Sequence, residues 1–253
     1  MIVVSLNLNG IRSAISKGLF EWLEKENPDL FCVQETKAQP DQIDTLTLKS
    51  LGYEYQLIHS AQKKGYSGVA IFSKQKPDYY KIGTGIQDFD KEGRVIRADF
   101  GDITVVCVYI PSGTMGDERQ EVKMIFLEAF TNYLLDLRKT RPNLLICGDY
   151  NICHKPIDIN HPERHTGVSG FLPEEREWFD RFIDLGFVDT FREFNKEPNQ
   201  YSWWSFRAGS RERNIGWRID YHIVTESLKS RLKNAKIYQG AVFSDHAPIF
   251  VEI

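Results

Sequence analysis

The sequence carries no strong charge of either sign: 32 lysines and arginines stand against 35 aspartates and glutamates, a formal net charge of -3. A polyanionic partner cannot then be held by the surface as a whole, so any nucleic-acid site has to be a local basic patch or be assisted by a cation. Cysteine is scarce too. Cys32, Cys107, Cys147 and Cys153 show no CxxC or zinc-like spacing, and three of them lie in or beside apolar, strand-like runs where a reduced thiol packs as a small hydrophobe. This usage points to a reducing compartment and away from a disulfide scaffold. No apolar run reaches membrane-spanning length and no secretory leader precedes the core-like opening MIVVSLNLNG, so the expectation is a cytoplasmic protein with no membrane partner. Linkers, low-complexity stretches and internal periods are missing as well. We therefore read residues 1–253 as a single domain, whose 42% hydrophobic content suffices for a substantial core.

What is present is an alternation of strand and helix signals, the pattern of an α/β domain. Strands are expected at Ile2–Asn7, Leu30–Gln34, Tyr53–Ser60, Gly68–Ser73, Val95–Phe100, Ile103–Ile110, Leu144–Cys147, Arg218–Thr225 and Ala247–Glu252. Helical spacing covers Gly18–Asn27, Asp41–Leu51, Asp117–Lys139 and Pro173–Leu185. In the longest of these, Val122, Ile125, Phe126, Ala129, Phe130 and Tyr133 are expected to face the core.

Polar residues fall where such strands stop. Asn7, Glu35, Tyr109, Asp149, Asp220 and Asp245 each sit within a strand or at its exit, and in layered α/β folds the strand ends and following loops form the ligand face. Glu35, in QETK, reads as a ligand for a hard divalent cation or as a turn acid. Asp149 and Asn151, in GDYN, share a face if the chain stays extended. They can then handle a water and meet a developing charge, or simply form an Asx-type turn. In Ser244-Asp245-His246, with Asp220 in GWRIDY, a buried acid can raise and orient an imidazole, although a lone histidine is more often structural. His154 and His161 have no acid at an obvious distance. Tyr201–Asp220 interleaves Trp203, Trp204, Phe206 and Trp217 with Arg207, Arg211, Arg213 and Arg218. That mixture suits nucleic acid, or else a core aromatic cluster under a solvated basic loop.

Seven segments in order, SLNLNGIR, LFCVQETK, GYSGVAIFSK, VYIPSG, ICGDYNICHKPIDI, GWRIDY and SDHAPI, resemble the exonuclease III-type apurinic/apyrimidinic endonucleases over residues 2–253. The resemblance implies a two-sheet α/β sandwich flanked by helices, the four-layer α/β/β/α, DNase I-like fold. It implies hydrolysis of the phosphodiester 5′ to abasic sites in double-stranded DNA and removal of nucleotides or blocking groups from 3′ ends, with Mg²⁺ or Mn²⁺ as cofactor and the chain acting as a monomer. A non-specific DNase I-like nuclease or another phosphoesterase of the same fold is the alternative. Carried over motif by motif, Glu35 is the main metal ligand with Asn7 nearby, and Asp149, Asn151, Asp245 and His246 are further candidates. Tyr109 positions the phosphate or assists proton handling. Asp149 activates water, Asn151 meets developing charge, His246 contacts phosphate with Asp220 orienting its ring, and Asp245 supports a metal or the leaving group. Arg12, Lys17, Lys37, Gly65, Tyr66 and Arg211 are expected on DNA, and Trp203, Trp217 and Ile219 around an extruded abasic sugar. The chain departs from the family pattern at Ser112, where an asparagine is frequent, at Trp203 in place of phenylalanine, at Asn9 in place of aspartate and at Cys153.

Overall fold

A computed structural model describes residues 1–207 and 209–253. Its strands are β1 (Ile2–Asn7), β2 (Leu30–Gln34), β3 (Tyr55–His59), β4 (Val69–Ser73), β5 (Tyr79–Ile82), β6 (Val95–Phe100), β7 (Ile103–Tyr109), β8 (Asn143–Asp149), β9 (Phe187–Asp189), β10 (Asp220–Thr225), β11 (Asn234–Ile237) and β12 (Ile249–Glu252). They form two six-stranded sheets, ordered β11-β12-β1-β2-β4-β3 and β5-β6-β7-β8-β10-β9. The sheets pack face to face over a shared core that includes Val3, Leu30, Ile71, Ile96, Val105, Leu145 and Val224. Helices cover both outer faces. Leu19, Leu23 and Leu48 pack on Phe31 and Phe72 of one sheet, while Phe126, Phe130, Trp178 and Phe179 pack on Val106 and Ile146 of the other. This is the expected four-layer sandwich. Among the described residues, no helix is long and apolar enough to cross a membrane.

The central pairs β1–β2 and β7–β8 are parallel and their neighbours antiparallel. All four central strands therefore end at one edge of the sandwich. Side chains alternate along a strand, so the inward positions read Val3–Ser5–Asn7, Leu30–Cys32–Gln34, Val105–Cys107–Tyr109 and Leu145–Cys147–Asp149. Register aligns them into rows: Val105 with Leu145 and Val224, Cys107 with Cys147 and His222, Tyr109 with Asp149 and Asp220. The space between the sheets thus grades from an apolar floor, through a cysteine layer, to acids and amides at the open edge.

Several boundaries differ from the sequence expectation, for local reasons. The single helix expected over Asp41–Leu51 is a 3₁₀ turn, Pro40–Gln42, and a separate helix, Thr45–Ser50. Asp44 restarts the chain by accepting the Thr47 N–H at 3.0 Å. Two strands begin later than expected, β10 because the Ile219 N–H turns from the ladder to Ser202 Oγ at 3.1 Å and β12 because Pro248 precedes it. The short edge strands β5, β9 and β11 had no clear signal.

The largest departure is in the helix Asp117–Thr140. Its buried stripe is Lys123, Phe126, Leu127, Phe130, Thr131, Leu134 and Leu137, while Val122 and Ile125, expected inside, are exposed. The rotation follows from a buried ion pair. Lys123 and Glu175 are both fully buried and bonded to each other, and Lys123 also donates to the Asn151 carbonyl at 2.8 Å. Glu175 in turn accepts from the backbone N–H groups of Gly170 at 2.6 Å and Leu172 at 3.0 Å. The pair braces the loop after β8 from behind.

A buried charge stripped of its partner is far costlier than the pair itself. Lys123→Met is expected to lower unfolding stability by about 3–5 kcal/mol in urea titrations, and Lys123→Met with Glu175→Met to recover most of that loss.

Candidate active site

The open edge gathers the strand-exit residues into one cluster. Asn7, the last residue of β1, donates its amide both to Glu35 Oε1 at 3.0 Å and to Asp149 Oδ2 at 2.9 Å. One side chain thereby ties together acids from two different sheets. Tyr109, the last residue of β7, donates its hydroxyl to Glu35 Oε1 at 2.7 Å. Beneath its ring lies the buried guanidinium of Arg94, 4.8 Å from the centroid, which donates to the Tyr109 carbonyl at 2.9 Å and the Tyr66 hydroxyl at 3.0 Å.

On the other side, His246 Nδ1 meets Asp220 Oδ2 at 2.9 Å, while its Nε2 stands 4.0 Å from Asp149 Oδ2. Ser202 Oγ donates to the same Asp220 oxygen at 2.7 Å. Asp245 takes the amide of Asn9 on Oδ1 at 3.0 Å and the indole N–H of Trp203 on Oδ2 at 3.0 Å. The loop carrying Asp245 and His246 is fastened to β1 by Ser244 Oγ, which donates to the Asn7 carbonyl at 2.8 Å.

At Asp149 and Asn151 the chain forms the turn that GDYN allowed. The Asn151 N–H bonds Asp149 Oδ1 at 2.8 Å, which is an Asx-type turn, and the strand does not continue, because Asn151 has φ of 52°. The two side chains nevertheless line one cavity. Asn151 Nδ2 is held at 2.9 Å by the Ile110 carbonyl.

Burial dominates the electrostatics here. It pushes the Asp149 carboxyl up to about 7, aided by the neighbouring Asp220 charge and opposed by His246 and the Asn7 amide. Burial pulls the His246 imidazole down, but the charge and hydrogen bond of Asp220, with Asp149 and Asp245 behind, override it and raise it to about 10. Glu35 is held below the usual range: the donors Asn7, Lys37 and Tyr109 outweigh its burial. Burial and then the Glu35 and Asp149 charges push the Tyr109 phenol well up, so it stays a protonated donor.

A cavity of about 310 Å³ opens over this cluster. Glu35, Tyr109, Asp149, Asn151, Asp245 and His246 line it together with Trp203, Trp217, Ile219 and Gly170. The remaining donors are carboxylate and amide oxygens with one imidazole, the set a hard divalent cation prefers over zinc or copper. Asp149, Asp220 and His246 also lie close enough together to share an ion, although Asp220 is already engaged by His246 and Ser202. A larger hollow of about 440 Å³, around His154, Arg192 and Arg218, is lined by charges paired with one another.

Backbone strain concentrates at the same edge. Asn9, Glu35, Lys37, Ser67 and Asn151 all adopt left-handed φ between 46° and 52°, a conformation costly for residues other than glycine.

The expected DNA contacts divide. Arg12 and Lys17 are exposed, and Arg12, Lys37 and Gly65 line a neighbouring hollow. Lys37 Nζ lies 2.7 Å from Glu35 Oε2. Tyr66 sits further along the edge, its hydroxyl accepting from Arg94 and Arg119. Arg211 has partners within the protein: its guanidinium donates to the carbonyls of Ser244, Gln239 and Ala241 and lies 4.5 Å above the Trp204 ring. It ties down the loop that carries Asp245. Arg218 is buried against Asp158 and Asp189. Of the arginines singled out in that segment, only Arg207 and Arg213 are exposed. His154 stacks on Phe179 and bonds Asp180, away from the cluster. Lys123, Glu175, Arg94 and Ser202, all of which hold the site in place, escaped the sequence reading. The only available hint was Lys123 lying in helical phase with Phe126, Leu127 and Phe130.

Comparisons with known proteins agree with this geometry. The chain is 43% identical over 251 residues to an exodeoxyribonuclease of Bacillus subtilis (strain 168), covering 98% of each chain. Its fold matches an AP endonuclease from Archaeoglobus fulgidus with a TM-score of 0.91 at 29% identity, covering 100% of this chain and 99% of that one. It also matches the 3′ phosphatase NExo from Neisseria, bound to a product DNA hairpin, with a TM-score of 0.93 at 26% identity and the same coverage. The model of the Endonuclease/Exonuclease/phosphatase family matches residues 4–246. With strand-exit acids, a carboxylate-oriented imidazole and an aromatic-walled cavity on a two-sheet sandwich, the chain belongs to the Endonuclease/Exonuclease/phosphatase family.

Proposed function

We propose that this chain is a DNA repair nuclease that hydrolyses the phosphodiester 5′ to abasic sites and trims 3′ ends, with Asp149 and His246 as its central pair. The observation that carries the reading is the arrangement Asp220–His246–Asp149, in which a buried imidazole stands between one carboxylate that orients it and another that faces the cavity. Asp149, raised to about 7, is poised to take a proton from an attacking water at neutral pH. His246, charged at that pH, presents its Nε2–H to a non-bridging phosphoryl oxygen, and Asn151 turns its second amide hydrogen, which rests on Asp149 Oδ2 at 3.4 Å, to the phosphate as charge builds. Tyr109 keeps its proton and fixes Glu35. A bound Mg²⁺ or Mn²⁺ would neutralise phosphoryl charge and assist the departing 3′-oxygen. Glu35, Asn7 and Asp245 are the oxygen donors we assign to hold it. Trp203, Trp217 and Ile219 wall a pocket suited to a sugar without its base, the nucleotide that is cheapest to extrude. Arg12, Lys37 and Gly65, which line one hollow beside the cluster, are assigned with Lys17 and Tyr66 to the DNA backbone.

We further read the chain as a single-domain monomer working in the cytoplasm. Its four thiols are all free and buried, as suits a reducing compartment, and both sheets contribute to one site.

The direct test is an end-labelled duplex with one tetrahydrofuran abasic analogue, with and without Mg²⁺. Site-specific incision 5′ to the lesion, abolished by EDTA, is the expected result. Random nicking would favour a DNase I-like activity, and binding without cleavage would leave only a scaffold. Asp149→Ala and His246→Ala are each expected to lower kcat by about 10²–10⁴-fold with DNA affinity changed only a few-fold. Equal losses in both quantities would contradict the assigned roles. The raised His246 value also has a sign in stability. A proton bound more tightly in the folded state stabilises it below the unfolded value near 6.5, an advantage lost as pH rises towards 10. In metal-free protein the destabilisation caused by His246→Asn should therefore shrink between pH 7, above which Asp149 is ionised, and pH 10. Urea titration across that range measures it.

A further inference from the structure

Residues 202–204 form a short extended rung between two parts of the site. On one edge Trp203 exchanges backbone hydrogen bonds with Trp217, 2.8 Å in each direction. On the other, the Trp204 N–H meets the Asp245 carbonyl at 3.1 Å and the Ala247 N–H meets the Ser202 carbonyl at 2.7 Å. A segment paired on both edges has little freedom to shift, and its successive side chains point opposite ways. Ser202, fully buried, accordingly reaches Asp220, and Trp203 reaches Asp245. The rung holds Asp220, which orients His246, and Asp245, which precedes it in the chain.

The Trp203 ring has a second exposure. It stands edge-on to Trp217, with centroids 5.9 Å apart and planes at 86°, and 6.4 Å from the His246 ring, and it lines the cavity beside the acids. The face that a substrate sugar would touch and the N–H that holds Asp245 therefore belong to one rigid ring. A phenylalanine would supply the face but no donor.

We infer that Trp203 is a positioning residue: its indole N–H fixes Asp245 and makes the setting of that carboxylate depend on the same ring that walls the substrate pocket. This rests on the nuclease reading above. Asp245 already accepts Asn9 on Oδ1, so Trp203 is its hydrogen-bond partner on Oδ2 among the described residues. Without it the carboxylate can turn about its last bond. Misplacement of a catalytic group on the scale of 1 Å can cost about 10²-fold in rate.

The test separates ring from donor. Trp203→Phe should lower kcat at least tenfold while leaving KM, and the affinity for a tetrahydrofuran duplex in EDTA, within about twofold of the parent. Trp203→Ala should lose both. In a double-mutant cycle, Trp203→Phe should add nothing to Asp245→Ala, because the donor's only effect is then already gone. An unchanged kcat for Trp203→Phe, or additive losses in the cycle, would overturn the inference. A readout independent of turnover is the exchange rate of the ¹⁵N-labelled Trp203 indole proton: slow in the parent and at least tenfold faster in Asp245→Ala. Equal rates would equally overturn the pairing. If the parent fails to incise the abasic duplex, the nuclease reading falls, and the indole exchange still decides whether the ring holds the acid.

Discussion

The constraint on which the rest depends is that a strand packed between two sheets can place only every second residue in the gap. In this chain the central strands use those positions in the same order. Val, Cys and Tyr in β7 match Leu, Cys and Asp in β8, while in the facing sheet Val, Ser and Asn of β1 match Leu, Cys and Gln of β2. The active cluster is thus the top layer of the core, and its depth is set by register. A slip of one residue would turn Asp149 to the outer face and put Gly148 in its place. Asn7 is the joint of this layer, since its amide spans from Glu35 of its own sheet to Asp149 of the other.

Because the cluster is the top of a core, desolvation is the first influence on almost every group in it, and the neighbours decide which way each one goes. Glu35, with three donors, remains a strong acid; Asp149, beside a second carboxylate, becomes a weak one. The two carboxylates lie on one amide and differ in proton affinity for reasons visible in their partners. That divergence suits one to hold a cation and the other to accept a proton.

Much of the site was legible in the sequence because its residues punctuate strands. Asn7, Glu35, Tyr109 and Asp149 interrupt apolar alternation, and Asp220 and Asp245 adjoin it, so position and chemistry could be read together. The supports were not legible. Lys123 lies on an amphipathic helix where a lysine is ordinarily taken as the solvent face, and only its pairing with Glu175, 52 residues on, makes it a core residue. Arg211 reads as a DNA contact from composition, yet three carbonyls of a distant loop claim its guanidinium. Edge strands such as β9 are too short for periodicity to mark them. What pairs at long range, through one specific contact, leaves no local pattern to read.

The left-handed residues at the mouth carry a further consequence. Glycine would relax Glu35, Lys37 and Ser67, each of which holds a conformation that costs of the order of 1–3 kcal/mol for such a residue, while asparagine bears it more easily at Asn9 and Asn151. The easiest backbone to fold is therefore not the one that presents these groups. Along this edge, substitutions that make the protein more robust and substitutions that keep it competent point in opposite directions. An evolutionary or engineering search for thermal tolerance would find its gains there first, and would pass through a well-folded chain with a disarmed mouth.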